Sequence, residues 1–226
     1  MFIGFIEAGV PLGVTFSFLI SSPMVNEVAL IMLFGMFGLK IALVYMFTGL
    51  IVAIFGGLLI GKLKLEHLVE GFVYETKLGE MLIAEQTWKD RLEYAYSYVL
   101  QILRKVWPYV VAGIAIGGWI HGYVPQDSLV RWAGPGNPFA VPIAVILGVP
   151  LYSNAAGTIP IVAALREKGM AMGTVLAFMM SVTALSLPEM IILRNVLKPK
   201  LIGIFVAIVA ISIIVVGYIF NWLIPL

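Results

Sequence analysis

The sequence contains no cysteine, only two histidines and few charged residues. Without cysteine the chain forms no disulfide, no thiolate-ligated metal site and no cysteine nucleophile. Charged residues make up 12% of the chain, against about a quarter of an average soluble domain. The net charge of +2 is small and does not indicate a nucleic-acid partner.

Apolar residues dominate instead: they are 62% of the 226 residues, and the mean hydropathy is +1.06. A soluble core of this size cannot hide so much apolar surface, so lipid must act as the solvent. Three stretches, Ile41–Gly61, Val106–Tyr123 and Leu201–Leu223, are apolar enough to cross about 30 Å of hydrocarbon. The sequence therefore predicts an all-α integral membrane protein, a polytopic helical bundle that crosses a membrane several times.

Three further stretches have membrane length but are interrupted near the middle by proline or polar residues. They are Val10–Phe37, Pro138–Leu165 and Met170–Leu197. Backbone groups freed at such an interruption must be buried in protein or line a wet cavity, because lipid offers no hydrogen bonds. We therefore expect discontinuous transmembrane helices whose breaks meet near the middle of the bilayer.

Residues 62–105 form a charged linker between the two membrane parts. The last part of the linker, Leu92–Leu103, has the pattern of an amphipathic helix lying along the interface. Bases stand at both of its membrane edges, so the positive-inside rule places the linker in the cytoplasm. If each broken stretch crosses once, the Lys198–Lys200 loop lies outside and the C-terminus inside.

The sequence matches itself at a shift of 160 residues; identical pairs include Glu7/Glu167, Gly9/Gly169, Gly13/Gly173, Phe18/Phe178, Ser21/Ser181 and Lys40/Lys200. This pattern predicts a duplication, with residues 1–61 as a first membrane repeat lacking its N-terminal part and residues 106–226 as a second. Such a repeat either starts further upstream or is completed by a partner chain or by a second copy in a homo-oligomer. The repeats are parallel if every broken stretch crosses, and inverted if one is re-entrant; the sequence leaves both open.

Motifs in both parts resemble one family. They are Gly148–Pro160, Leu165–Gly169, Ala177–Ser181 and Ser186–Met190 in the second part, and Gly9–Gly13, Phe18–Ser21 and Pro23–Asn26 in the first. Together they resemble the predicted permeases that include the organoarsenical efflux permeases (ArsP-like). The resemblance implies an inner-membrane permease that exports a metal, metalloid or organo-metalloid species. Because the chain has no thiol, thiolate capture of a soft metalloid is not open to it.

Two acids, Glu27 and Glu189, stand in apolar stretches beside helix interruptions. A carboxylate at membrane depth is costly and indicates a solute pathway, a proton relay or an ion partner. The alternative is that each acid caps the N-terminus of a half-helix, where free N–H groups and the helix dipole favour negative charge.

Polar residues near the interruptions are the other candidates for contact with a solute. We expect substrate contacts from a group in the second part (Tyr152, Ser153, Asn154, Thr158, Ser181, Thr183 and Ser186) and from a group in the first (Ser21, Ser22 and Asn26). The alternative is that they satisfy an unwound turn or join helices in the membrane. No set of residues indicates a metal site, and no cofactor is expected.

The favoured function is a permease that exports a small solute from a site near the midplane, with protons carried by Glu27 or Glu189. A non-transporting membrane scaffold whose linker docks a cytosolic partner is the alternative. An enzyme is not expected, because the only aspartates, Asp90 and Asp127, lie in loops and no Ser–His pair lies at membrane depth. The expected partners are membrane lipid and a small solute or ion.

Overall fold

The computed structural model of the chain describes residues 1–71, 73, 87–89, 91–93, 95–97, 99–100, 103–104, 107–108, 111, 115, 126–134, 136–151 and 153–224. Most of the predicted span Val106–Tyr123, nearly half of the charged linker and Tyr152 lie outside these residues. The secondary structure of the described residues is helical, with one isolated antiparallel bridge between Val69 and Leu197.

The first part of the chain forms four helices. They are α1 (Phe2–Glu7), α2 (Leu12–Met24), α3 (Glu27–Phe37) and α4 (Leu39–Lys62), followed by a 3₁₀ turn at Glu66–Leu68. The second part forms α5 (Gln126–Ala133), α6 (Ala140–Gly148), α7 (Ala155–Glu167), α8 (Met172–Ala184), α9 (Leu187–Leu193) and α10 (Pro199–Leu223). The prediction of an all-α membrane protein is confirmed.

Three helices or helix pairs are long and apolar enough to cross a membrane: α4, α8 continued by α9, and α10. A fourth candidate is α2 with α3, which are bent by 43° at their break. This count of candidate spans rests on helix length and composition alone and covers only the described residues. The spans predicted at Ile41–Gly61 and Leu201–Leu223 lie within α4 and α10.

The interruptions predicted from proline and polar residues are breaks in the structure. Between α2 and α3 the chain leaves the helix at Val25, and Asn26 restarts it by accepting the N–H groups of Val28 and Ala29. Between α6 and α7 the restart is Asn154, whose side chain accepts the N–H of Gly157. An Asn side chain supplies the acceptor that an N-terminal turn lacks, so these positions favour a new helix start.

Helix bounds in the two parts are offset by the same 160 residues as the sequence match. Helices α2 and α8 begin at residues 12 and 172, and helices α4 and α10 begin at residues 39 and 199. Gly9 and Gly169, the same distance apart, both have positive φ, at 78° and 86°. The offset is what a duplication leads one to expect, and the repeat boundaries themselves stay a prediction.

The end of α4 and the start of α10 lie on one face of the bundle, called here the linker face. Backbone bonds join Glu70 N–H to the Val196 carbonyl and Lys198 N–H to the Leu68 carbonyl. Arg194 and Glu70 form an ion pair at 3.0 Å beside them. Because α4 ends where α10 begins, the two helices run in opposite directions and the two parts are inverted relative to each other.

The helices α6 and α7 form a hairpin that enters and leaves at the opposite face, called the far face. At its entry, the Tyr218 hydroxyl near the end of α10 donates to the Pro138 carbonyl at 2.6 Å. At its exit, α7 turns into α8, whose Thr174 N–H donates to the Asn221 side chain at 3.2 Å. At its tip, the Val149 carbonyl accepts the N–H of Leu187 at the break between α8 and α9. Pro138–Leu165 is therefore re-entrant.

The expected position of the Lys198–Lys200 loop is wrong. It was counted as lying across the membrane from the linker, but Lys198 is hydrogen-bonded to Leu68, only six residues beyond the end of α4. The physical reason is the re-entrant hairpin, which removes one crossing from the count. The end of α10 accordingly lies on the far face.

Glycines let each long helix approach its neighbour. A Cβ on Gly13 would lie 2.6 Å from the Gly57 carbonyl oxygen, and a Cβ on Gly173 would collide with the Gly217 carbonyl oxygen. The pairs α2–α4 and α8–α10 therefore pack backbone to backbone, as small residues allow in membranes.

We expect Gly173→Ala to lower stability, while Gly203→Ala in α10 serves as the matched control. The added methyl collides at Gly173 but meets nothing within 4 Å at Gly203. Overpacking costs about 1–3 kcal/mol, so the melting temperature in detergent should fall by several degrees for the first variant only. Equal melting temperatures would contradict the packing.

The linker-face pairing predicts a disulfide in the double variant Val69→Cys with Leu197→Cys. The flanking backbone bonds make these residues a non-hydrogen-bonded antiparallel pair, with Cα atoms about 4.5 Å apart, which suits a disulfide. Oxidation should remove both thiols from maleimide labelling, whereas Val69→Cys with Leu223→Cys should keep both. Two free thiols in the first pair would rule out the inverted arrangement.

Candidate functional site

A cavity of about 500 Å³ lies where the breaks of the two inverted parts meet. Its walls come from α1, the α2–α3 break, the α6–α7 break and α8 with α9. The lining residues are Met1, Phe2, Ile3, Leu19, Pro23, Asn26, Ser153, Asn154, Thr183, Ser186, Glu189, Ile192, Leu193 and Val196. Asn26 and Ser186, at equivalent positions of the two parts, both face it.

Half of the residues predicted to contact a solute line this cavity: Asn26, Ser153, Asn154, Thr183, Ser186 and Glu189. Three of them, Asn26, Ser186 and Asn154, are the N-cap positions of α3, α9 and α7. The sequence brings them together because each break leaves a polar residue at the same depth. Whether these side chains bind a solute stays a prediction.

The other predicted residues lie elsewhere. Ser22 and Glu27 are exposed, and the Ser21 hydroxyl donates to the Phe18 carbonyl of its own helix. Thr158 and Ser181 are buried, and donate to the carbonyls of Asn154 and Val145 at 2.9 and 2.6 Å. These two hydroxyls act as internal hydrogen-bond donors at the hairpin. Tyr152 is outside the described residues.

Glu189 is the acid in the cavity lining. Its side chain is largely buried and makes no hydrogen bond or ion pair with the described residues, and it does not cap the N-terminus of α9. At the other break the cap is made by Asn26 rather than by Glu27. The capping alternative for the two acids therefore does not describe what either side chain does in this structure.

The polar lining has a second layer behind Thr183. The Thr183 hydroxyl donates to the Met179 carbonyl at 3.0 Å. The Tyr45 hydroxyl is fully buried next to the Thr183 side chain but is not within hydrogen-bonding geometry of any described group. A buried hydroxyl without a partner is costly, so a small movement of α4 or α8 that joined Tyr45 to Thr183 would be favourable.

The residues that sequence reasoning missed are apolar. Phe2, Ile3, Leu19, Ile192, Leu193 and Val196 complete the walls. In a membrane helix an apolar residue faces lipid, protein or a cavity with the same composition, so no signal in the sequence separates them. Only the position of α1 against the α8–α9 break could have identified them.

The cavity does not offer a cage for a bare metal ion. Among the described residues no three His, Cys, Asp or Glu side chains lie close enough to hold one. The lining contributes one carboxylate, two amides and three hydroxyls, set among apolar side chains. Such a surface can hydrogen-bond a small solute, balance one positive charge and cover an apolar body.

The two ends of the cavity differ. At the far face α3 packs closely against α7. The equivalent pair at the linker face is α9 with α1, because α9 matches the start of α3 and α1 matches the end of α7 at the 160-residue offset. These two helices do not pack closely and instead both line the cavity. Among the described residues the cavity is therefore more closely packed toward the far face and wider toward the linker face.

Comparison with known proteins agrees with this architecture. A family model described as a predicted permease (ArsP_1) matches residues 1–222. A UPF0718 protein of Methanocaldococcus jannaschii is 29% identical over 118 residues, which are 52% of this chain and 32% of that protein. The matched region thus spans about a third of that relative's length. No solved structure matches the chain significantly.

The family model covers nearly the whole chain, including every helix that lines the cavity. The resemblance read from the sequence motifs is confirmed, and the protein belongs to the ArsP_1 family of predicted permeases.

Proposed function

We propose that the protein is a multi-pass permease of the inner membrane that exports a small solute of the metal, metalloid or organo-metalloid class. The observation that carries the proposal is the cavity at the meeting point of the helix breaks, with the unpaired carboxyl group of Glu189 in its wall. Inverted repeats with a site at their broken helices are a recurring plan of secondary transporters.

The orientation follows from the distribution of bases. Bases occur at both faces: Lys40, Arg166 and Lys168 lie at the far face. Lys62, Lys64, Arg194, Lys198 and Lys200 lie at the linker face, to which the charged linker adds Lys77, Lys89, Arg91, Arg104 and Lys105. The positive-inside rule makes this face cytoplasmic. The cavity, widened toward the linker face, then opens to the cytoplasm, as a permease must to load a solute for export.

The two helix pairs at the ends of the cavity supply a way to change access. In this structure α3 packs against α7, whereas α1 and α9 do not pack closely against each other. Because the pairs are equivalent in inverted repeats, closing α1 on α9 while α3 leaves α7 would open the cavity to the far face. In such transporters, one repeat rocks against the other around a fixed site, and this exposes the site to each side of the membrane in turn.

Glu189 is the proposed proton carrier. An unpaired carboxylate in a largely apolar wall is costly, and binding a proton or a positive solute removes the cost. Glu27 is exposed and outside the lining, which makes Glu189 the stronger of the two candidates that the sequence offers.

Access can be tested with single cysteines, since the chain has none of its own. Leu193 lines the cavity and is 5% exposed, whereas Leu33, its equivalent 160 residues earlier, is 0% exposed and outside the lining. We expect a membrane-impermeant maleimide to label Leu193→Cys from the linker face and to spare Leu33→Cys. Imposing a pH gradient with solute should expose Leu33→Cys to the far face and protect Leu193→Cys. Reactivity that never changes at either position would contradict alternating access.

The proton role predicts different effects for two conservative substitutions. In proteoliposomes with an imposed pH gradient, Glu189→Gln should lower the accumulation of arsenite, dimethylarsinate or tetramethylarsonium, whichever is carried, at least tenfold. Glu27→Gln should keep it within about twofold, because Glu27 lies outside the cavity. Accumulation is measured by elemental mass spectrometry, and melting curves check that both variants fold. Equal accumulation by both variants would remove Glu189 from the mechanism.

A further inference from the structure

We propose that the solute bound in the cavity is a small onium cation, a positively charged centre wrapped in alkyl groups, and that it competes with a proton for Glu189. This inference rests on the permease function proposed above and adds the chemical class of the solute. It follows from what the lining contains and from what it lacks.

The charge that side chains bring to the cavity lining is negative. Among the described residues, Glu189 is the ionisable side chain that lines the cavity, and no lysine, arginine or histidine side chain does. Met1 also lines the cavity, but it is 91% exposed and no ion pair joins its terminal amine to Glu189. An anion would therefore meet uncompensated repulsion, whereas a monovalent cation would neutralise the wall.

Other ionisable groups around α9 do not neutralise Glu189. Arg194, at the end of α9, is paired with Glu70 and donates to the Leu197 carbonyl at the linker face. From α4, the Tyr45 hydroxyl lies behind Thr183. Of the other helices at the cavity, α2, α6 and α8 contain no charged residue, and the charged residues of α1, α3 and α7 (Glu7, Glu27, Arg166 and Glu167) lie outside the lining. No described side chain therefore supplies a positive partner for Glu189, and in this proposal the partner comes from solution, as a proton or as the solute.

A bare metal ion does not fit this wall. Divalent ions need several anionic or imidazole ligands, and the described residues provide one carboxylate at the cavity. Soft metalloids in thiolate-reactive form need thiols, and the chain has none. A cation whose charge is already covered by alkyl groups needs no ligand atoms from the protein.

The apolar part of the lining fits the alkyl groups. Phe2, Ile3, Leu19, Ile192, Leu193 and Val196 surround the polar residues, so methyl or ethyl groups would leave water for an apolar surface. The Phe2 ring adds an aromatic group, to which quaternary cations bind well. An organo-metalloid solute would meet these requirements as a fully alkylated arsonium ion, and a quaternary ammonium ion would meet them equally.

The movements of the onium ion and the proton are coupled because both bind to the carboxyl group of Glu189 and only one can bind at a time. The protonated carboxyl group releases its proton to the solution as the onium ion enters, leaving a carboxylate paired with the onium ion. At the other face the onium ion leaves and a proton from the solution binds. Atoms and charge balance in both steps, and one onium ion moves against one proton.

The test is equilibrium binding of choline to the purified full-length protein in detergent. Its comparison ligand is 3,3-dimethylbutan-1-ol, which has the same shape and hydroxyl group but a neutral carbon in place of nitrogen. We expect choline to bind at least tenfold more tightly than the neutral compound, with an affinity that increases with pH and with release of a proton. Glu189→Gln should lower choline affinity at least tenfold, while Glu27→Gln should leave it within twofold.

Equal affinities for choline and the neutral compound, pH-independent binding, or full affinity in Glu189→Gln would each overturn the inference. If Glu189→Gln does not fold, Glu189→Asp replaces it, and its choline affinity should still increase with pH. The binding and transport experiments separate the two proposals. Transport of arsenite or dimethylarsinate without choline binding would reject the onium class and keep the permease, whereas choline binding with no change in cysteine access would reject the permease.

Discussion

The structure depends on one constraint: a backbone that leaves the helix inside lipid must find its hydrogen bonds within the protein. At each break a specific group supplies them. Asn26 and Asn154 accept the first amides of the helices they begin, and the Val149 carbonyl accepts the N–H of Leu187 across the hairpin. The last of these bonds ties the α6–α7 break to the α8–α9 break, so unwound segments far apart in the chain are held together and line a shared space.

Sequence reasoning identified the parts governed by this constraint. Proline and polar residues inside apolar stretches located the breaks, since few other arrangements tolerate them in a membrane. The 160-residue match located equivalent helices, and the long uncharged runs located α4 and α10. Asn26, Asn154 and Glu189 were recognisable because polar groups at such depth need a reason.

The sequence could not supply the direction of the second part. Whether Pro138–Leu165 crosses or returns depends on contacts such as Tyr218 with Pro138, which join residues 80 positions apart. Counting crossings along the chain therefore gave the wrong side for Lys198. The apolar cavity residues were hidden for a related reason, because leucine and isoleucine have the same side chains whether they face lipid or a solute.

The two parts differ at a position that matters for the site, since the residue equivalent to Glu189 is Ala29. In a perfectly symmetric pair of repeats, the orientations open to either face would have equal energy. A carboxyl group in one part alone removes that equality. Its charge also makes the balance sensitive to voltage, which acts with about 2.3 kcal/mol per elementary charge moved across 100 mV. While the cavity is empty and the carboxyl group has lost its proton, the resting potential of the cell would bias which face the molecule presents.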